Sequence, residues 1–414
     1  MKYLLIIGDG MADEPVASLG GKTPLQTAKK PTIDRLAAQG IIGAAVNCPP
    51  PLPAGSETAI LSIFGCDPLR YFTGRSPMEA AALGVALREG DVCYRCNLIA
   101  MDEGDMPYEE KRILSHSAGS IAGEDALAVC SALKSDPAFS AALREANMEL
   151  FPSPTFRPLV VQHGVGKCGV KFIPPHDHLG EKCGGLLPSD DAQAEVFVNL
   201  QRLAHAALEN HPVTKARRAA GKMGANGVWF WAAGSAMLLP SFVDDYHCTG
   251  AVVAAVPICQ GIGVLRGLEM IEVEGATGEI DTNFEGKLEA SWDVLQKHDF
   301  LCLHLEAPDE CTHNGDLPGK LQAIEWLDSR LVAPLLSRLD EKGEDYRVLI
   351  LSDHKTLTAT RGHAGGTVPF LIYDSRIDTK CGAAYDEAHG DASPHTVNGA
   401  RLLDILFEKS ALGQ

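Results

Sequence analysis

The chain has 414 residues and a formal net charge of −18 at pH 7, with 45% hydrophobic and 22% charged residues. Those fractions belong to a globular protein and exclude a disordered or fibrous one; the acidic balance removes any electrostatic reason to bind nucleic acid or an anionic membrane. The length exceeds one ordinary core and points to two domains, or to a large α/β domain carrying an insertion.

The N-terminus, MKYLLIIGDG, holds one Lys and a short apolar run before Gly8-Asp9-Gly10. A signal peptide needs a longer apolar core and a cleavage site, so Tyr3–Ile7 is predicted as a first buried strand and the chain as cytoplasmic. Helical spacing follows at Pro31–Gln39, through Ile33, Leu36 and Ala37. A proline-rich loop over Cys48–Pro53 leads to a helix beginning at Ser56 and running through Ile60, Leu61 and Phe64. From about residue 85 to 275 the texture changes to many prolines, glycines and short apolar runs, without motif density. The apolar stretches near 228–240 and 250–265 are short or broken by Pro257 and glycines, which argues against membrane spans.

Further on, Phe300–Leu305 and Arg347–Leu351 read as buried parallel strands, and Val368–Tyr373 as another strand. Between the first two, Leu321, Ile324, Leu327, Leu331, Leu335 and Leu339 recur at helical spacing, with Pro318 near the first turn and Gly343 past the end. Strand, helix, strand is a βαβ unit, so this part is predicted as an open α/β sheet. The expected architecture is one α/β core built from residues 1–84 and 276–414, interrupted by an inserted α/β domain at 85–275. Apolar helix faces suit a core or an interface between copies equally well, which keeps a homo-oligomer open.

Twelve cysteines lie without regular spacing and read as reduced thiols. Cys93-x-x-Cys96 is one suggestive pair, but a zinc ribbon needs a second, and Cys168 and Cys183 have fourteen residues between them.

In open α/β sheets, ligands bind beyond the carboxyl ends of the strands. Asp9 follows the first strand; Asp309 and His313 follow the second; Asp353 and His354 follow the third, with His363 nine residues beyond His354. Each alone has an ordinary explanation as a cap, turn or solvated residue. Together they form an oxygen and nitrogen ligand set suited to Mn²⁺, Zn²⁺ or similar ions rather than Ca²⁺. Ser56, after Pro53-Ala-Gly55, would ordinarily be an N-cap. A helix N-terminus also favours phosphate and alkoxide, and a nearby divalent ion would make the hydroxyl a usable nucleophile. Serine with two metals is a phosphoryl-transfer site, and the acidic chain then needs those ions and local Arg or Lys to accept an anionic substrate.

The motifs Gly8-Asp9-Gly10-Met11-Ala12-Asp13, Gly20-Gly21-Lys22-Thr23-Pro24-Leu25, Gly55-Ser56-Glu57-Thr58-Ala59, Thr73-Gly74-Arg75, Glu306-Ala307-Pro308-Asp309-Glu310 and Ser352-Asp353-His354 resemble the archaeal-type, cofactor-independent phosphoglycerate mutases of the alkaline phosphatase superfamily. The resemblance extends through Arg95-Cys96-Asn97-Leu98, Pro174-Pro175-His176-Asp177, Gly275–Gly278 and Asp281-Thr282-Asn283. It implies an alkaline-phosphatase-like open sheet and a serine that takes the phosphoryl group of 3-phosphoglycerate and returns it to the 2-hydroxyl, without bisphosphoglycerate. It implies Asp9, Ser56, Asp353 and His354 around one ion and Asp309, His313 and His363 around another, Mn²⁺ before Zn²⁺, Co²⁺ or Mg²⁺. The inserted domain would close over the substrate, with Arg75, Arg95, Arg157, Lys287, His176 and Asp177 as candidates to meet its carboxylate and phosphate. The family usually has proline and threonine where this chain has Lys355 and Gly362. The segment from Pro212-Val213 to Asn226-Gly227-Val228-Trp229 is similar to a bacterial branch of proposed homoserine kinases, so a kinase, or a plain phosphomonoesterase, is the alternative reading.

Overall fold

A computed structural model describes residues 1–189 and 193–409. Its strands are β1 (Lys2–Gly8), β2 (Ile41–Val46), β3 (Val92–Met101), β4 (Ile113–Ser115), β5 (Met148–Phe151), β6 (Leu159–Gln162), β7 (Gly227–Ser235), β8 (Gly250–Val253), β9 (Glu269–Ile271), β10 (Phe300–Leu305), β11 (Tyr346–Leu351), β12 (Lys355–Leu357), β13 (Gly362–Ala364), β14 (Val368–Asp374) and β15 (Thr396–Asn398). They fall into two units, residues 1–72 with 238–414, and residues 73–237.

The first unit is built on an eight-stranded sheet in the order β15-β2-β14-β11-β1-β10-β8-β9. β1 lies between β10 and β11, parallel to both, and Leu4, Leu5, Ile6 and Ile7 are wholly buried. An unbroken apolar run is what a parallel strand covered on both faces requires. The register aligns the carboxyl ends of the three strands: Gly8 stands opposite Leu305 and Ile7 opposite Leu351. The residues just after each strand are therefore delivered to one place. β14 runs antiparallel to both β11 and β2, so the sheet is mixed.

Residues 238–275 were expected in the insertion, but β8 pairs in parallel with β10 and β9 with β8. The inserted segment thus ends near residue 237, and two short strands without motif density complete the large sheet's edge.

The helix predicted over Leu321–Leu339 is interrupted. Helices Leu317–Trp326 and Ala333–Lys342 flank a π-helical turn, Leu327–Val332. Pro334 has no N–H for a carbonyl one turn back, and a widened turn absorbs that loss. The turn also aims Asp328 into the core, where it accepts hydrogen bonds from Ile33 N (2.7 Å) and Thr32 N (3.3 Å). Those are unsatisfied N–H groups at the start of helix Pro31–Gln39, whose own flanking residue, Lys30, makes no side-chain cap.

The second unit carries an antiparallel sheet in which β3 pairs with β4, β6 and β7, and β5 with β6. Its core gathers Tyr94, Cys96, Phe139, Phe197 and Phe230. Cys93 belongs to a different cluster, with Ala80, Leu159 and Val161. Three residues apart on a strand, the two thiols point to opposite faces and cannot share a metal; burial pushes both thiols' pKa up. Among the described residues no helix is long and apolar enough to cross a membrane.

Replacing Asp328 with Ala removes a cap supplied from another helix, and caps are worth about 0.5–2 kcal/mol. Urea unfolding of Asp328→Ala should show the first unit destabilised by about that amount, with the second unit's transition unmoved.

Candidate active site

The common end of β1, β10 and β11 brings together Asp9, Asp309, Asp353 and His354, all nearly or fully buried. Asp9 is the first residue after β1, and helix Ala307–His313 carries Asp309 and His313 one turn apart. The β12–β13 hairpin sets His363 opposite Thr356. Neither Lys355 nor Gly362 displaces it.

Asp353 Oδ1 accepts from Gly10 N (3.0 Å) and His354 N (2.8 Å), which leaves Oδ2 buried with no hydrogen-bond partner. Asp9 Oδ2 faces His304 Nε2 at 3.0 Å, and its Oδ1 is likewise orphaned. His354 Nε2 lies 3.2 Å from Asp353 Oδ2 and 3.6 Å from Asp9 Oδ1. Asn47 fixes the loop after β11 by donating to the carbonyls of Ser352 (3.2 Å) and Asp353 (2.7 Å).

Ser56 is the first residue of helix Ser56–Ile63; Gly55, not Ser56, occupies the cap position. Its hydroxyl is therefore not spent on the helix. Ser56 Oγ stands 3.2 Å from His354 Nε2 and 3.5 Å from Asp9 Oδ2.

A second candidate ligand set lies alongside. Asp309 Oδ2 is 3.0 Å and Oδ1 3.5 Å from the Nε2 atoms of His313 and His363 respectively. His313 Nδ1 donates to Arg361 O at 2.8 Å, so its Nε2 is the free end of the ring. That atom lies 3.0 Å from His363 Nε2. Two imidazole nitrogens facing each other at this distance need a proton or a metal cation between them, because two bare lone pairs would repel. Together with the orphaned oxygens of Asp9 and Asp353, they make a donor set that fits divalent ions.

Electrostatics tell the same story. Burial, then the neighbouring Asp353, Glu306 and Asp309, drive Asp9 well above the usual carboxylate range. Burial lifts Glu306 to about 8. Burial also works against charge on Asp309, but hydrogen bonds from His313 and His363 outweigh it and hold that carboxyl low. His313 is raised to about 9 by its bond to Asp309. His354 is held below the ordinary imidazole value by burial.

The sequence reading missed His304 and Glu306. His304 is wholly buried, is pushed down to about 3 by burial and by Lys287, and orients Asp9. Its signal was one ionisable residue in the apolar strand Phe-Leu-Cys-Leu-His-Leu. Lys287, expected to meet substrate, is instead fully buried and donates to His304 O at 2.8 Å; it supports the strand that carries His304.

The other candidate substrate contacts belong to the second unit. Arg95 is buried, pairs through two nitrogens with Glu79 (Nε–Oε2 2.7 Å) and stacks 4.7 Å over Trp231. Arg75 Nε reaches Glu79 at 3.4 Å while remaining 41% exposed. His176 packs 5.1 Å from the Trp231 ring and 6.0 Å from His116. Burial, His176 and Arg157 together lower the His116 pKa. Asp177 lies outside this group apart from a 3.6 Å pairing with His176.

The Metalloenzyme superfamily matches residues 1–404, which makes this protein a metalloenzyme by class. The chain is 42% identical over 410 residues to the 2,3-bisphosphoglycerate-independent phosphoglycerate mutase of Methanosarcina barkeri, spanning 99% of this chain and 100% of that one. A probable enzyme of the same name from Geobacter sulfurreducens is 39% identical over 413 residues, with the same coverage. Among solved structures, the cofactor-independent phosphoglycerate mutase of Thermoplasma acidophilum aligns with TM-score 0.67 and 25% identity over 99% of this chain and 100% of that one. A Pyrococcus horikoshii protein aligns with TM-score 0.80 and 27% identity, over 100% and 99%. The chain belongs to the 2,3-bisphosphoglycerate-independent phosphoglycerate mutase family.

Gly10 has φ +57°, and a Cβ there would lie 2.4 Å from Thr356 Oγ1 and 2.6 Å from Asp309 Oδ1. Gly10→Ala should therefore weaken divalent-metal binding by at least about tenfold, the scale of outer-shell disturbances, as read by calorimetric titration of protein shown folded by circular dichroism. His313 gains proton affinity on folding. Its contribution to the metal-free protein's stability is complete below about pH 6.5 and disappears as the pH rises through about 9. Thermal melts of metal-free wild type and His313→Gln should show a gap at pH 6 that closes toward pH 10.

Proposed function

We propose that this protein interconverts 3-phosphoglycerate and 2-phosphoglycerate through a phosphoserine at Ser56, without a bisphosphate cofactor. The observation that carries the reading is the Ser56 hydroxyl, free of any capping bond and 3.2 Å from His354 Nε2 beside orphaned carboxylate oxygens. The relatives' name and the site's chemistry support the same activity, a step of glycolysis and gluconeogenesis, and on our reading the enzyme works in the cytoplasm.

Two divalent ions, Mn²⁺ by preference, are proposed: one held by Asp9, Ser56, Asp353 and His354, the other by Asp309, His313 and His363. When bound they would lower the serine hydroxyl's pKa and neutralise charge on the phosphoryl oxygens. Ser56 Oγ, deprotonated, attacks phosphorus; the bond from phosphorus to the substrate's 3-oxygen breaks, and that oxygen takes up a proton. The glycerate then presents its 2-hydroxyl, which loses a proton and attacks the phosphoserine, releasing Ser56. Free N–H groups at the start of helix Ser56–Ile63 suit the phosphoryl oxygens. His304 holds the Asp9 carboxylate in place throughout.

Arg75, Arg157 and His176 in the second unit are our candidates for the substrate's negative charge, while Arg95 is committed to Glu79. Arg157→Ala should then raise KM for phosphoglycerate more than it lowers kcat.

The purified protein, supplied with Mn²⁺ and 3-phosphoglycerate alone, should form 2-phosphoglycerate in a phosphorus NMR assay. Ser56→Ala should reduce the rate by at least about a thousandfold, as loss of a nucleophile does, and chelation should abolish it reversibly. Phosphohomoserine from ATP and homoserine without mutase activity would assign the kinase instead. Accumulating inorganic phosphate would assign a phosphomonoesterase.

A further inference from the structure

Thr356 lies between the two ligand sets and belongs to neither. It is wholly buried. Its Oγ1 is 2.5 Å from Asp309 Oδ1 and 3.2 Å from His354 Nδ1. A hydroxyl has one proton to give. The shorter contact, to a carboxylate oxygen that serves as an acceptor, is where that proton points. The threonine proton is therefore directed to Asp309, and only lone pairs remain for the imidazole.

From this geometry we infer that Thr356 is a positioning residue that holds His354 as its Nδ1–H tautomer and ties the two ligand sets together through one hydroxyl. The inference rests on the two-ion reading above and deepens it. With the proton on Nδ1, Nε2 carries the lone pair, and Nε2 is the atom facing Ser56 Oγ (3.2 Å), Asp353 Oδ2 (3.2 Å) and Asp9 Oδ1 (3.6 Å). The opposite tautomer would set the Nδ1 lone pair against the Thr356 oxygen and make two acceptors compete for one proton. His313 receives the same service from Arg361 O, so each ligand set has one imidazole with its Nε2 turned inward.

The hydroxyl is held in place by its surroundings rather than by its own rotamer alone. Thr356 N donates to Ala12 O at 3.1 Å, and Thr356 O accepts from Lys320 Nζ at 2.7 Å. The buried Lys320 ammonium is in turn 2.9 Å from Asp13 Oδ2. Gly10 is the close neighbour that leaves room for the oxygen.

The test uses the full chain stripped of metal. Nitrogen NMR of ¹⁵N-histidine-labelled wild type, with His354 assigned by comparison with His354→Gln, should find the proton on Nδ1. Calorimetric titration with Mn²⁺ should show Thr356→Val about 10–100-fold weaker than wild type, the usual cost of losing an outer-shell partner, and Thr356→Ser within about threefold. A proton on Nε2 in wild type would overturn the inference whether or not any variant folds. So would wild-type affinity in Thr356→Val, or a Thr356→Ser as weak as the valine. A wild type that binds no divalent ion would instead sink the two-ion reading, and the tautomer result would still decide the role of Thr356.

Discussion

The site depends on a packing decision that has an electrostatic cost. Three parallel strands end in register, and the residues beyond them place Asp9, Asp309, Asp353 and Glu306 in one largely water-free space. Removing an ionised carboxylate from water costs several kcal/mol unless charge or hydrogen bonds compensate. Divided compensation is visible here. Asp309 has its histidines and stays acidic, whereas Asp9 and Glu306 do not have enough partners and are driven toward the protonated state. A pocket left this short of positive charge is electrostatically suited to a cation, because a cation would restore the charged form of those carboxylates.

Within that constraint, each carboxylate is treated atom by atom. One oxygen of Asp353 is fastened by two backbone N–H groups and one oxygen of Asp9 by His304, while the second oxygen of each is left without a partner. Fastening one end while freeing the other is preorganisation: the side chain cannot turn away, and no protein hydrogen bond to the second oxygen has to be broken when a ligand arrives. Ser56 follows the same logic. Gly55 takes the capping position, so the serine can begin the helix without giving its oxygen to it.

The parts of this arrangement that were legible in the sequence are those written in short-range pattern. β1, β10 and β11 are apolar runs of the expected length, and helix Pro31–Gln39 has its buried residues where the spacing put them. That Asp9, Asp309, Asp353 and their histidines come together was legible because a strand end is a definable place in a chain. The hidden parts depend on partners distant in sequence. β8 and β9 are too short to announce themselves, and only pairing against β10 puts them in the core. The π turn needed the conflict at Pro334 to be resolved in three dimensions. Lys287 looked like a cation for substrate, because nothing local says that helix Phe284–Lys297 turns it inward to His304.

Chain order adds a consequence for synthesis. β1 is made before every other strand of its sheet, yet its flanking partners begin at Phe300 and Tyr346. Every strand of the second unit's sheet finds its partner between Val92 and Ser235. That sheet has all its pairings available while the apolar stretch Leu4–Ile7 still has neither neighbour, and a strand with two open edges is a template for wrong pairings. The nascent chain therefore carries this aggregation hazard from the synthesis of β1 until β11 is made, and chaperone dependence should reside in the discontinuous unit rather than in the inserted one.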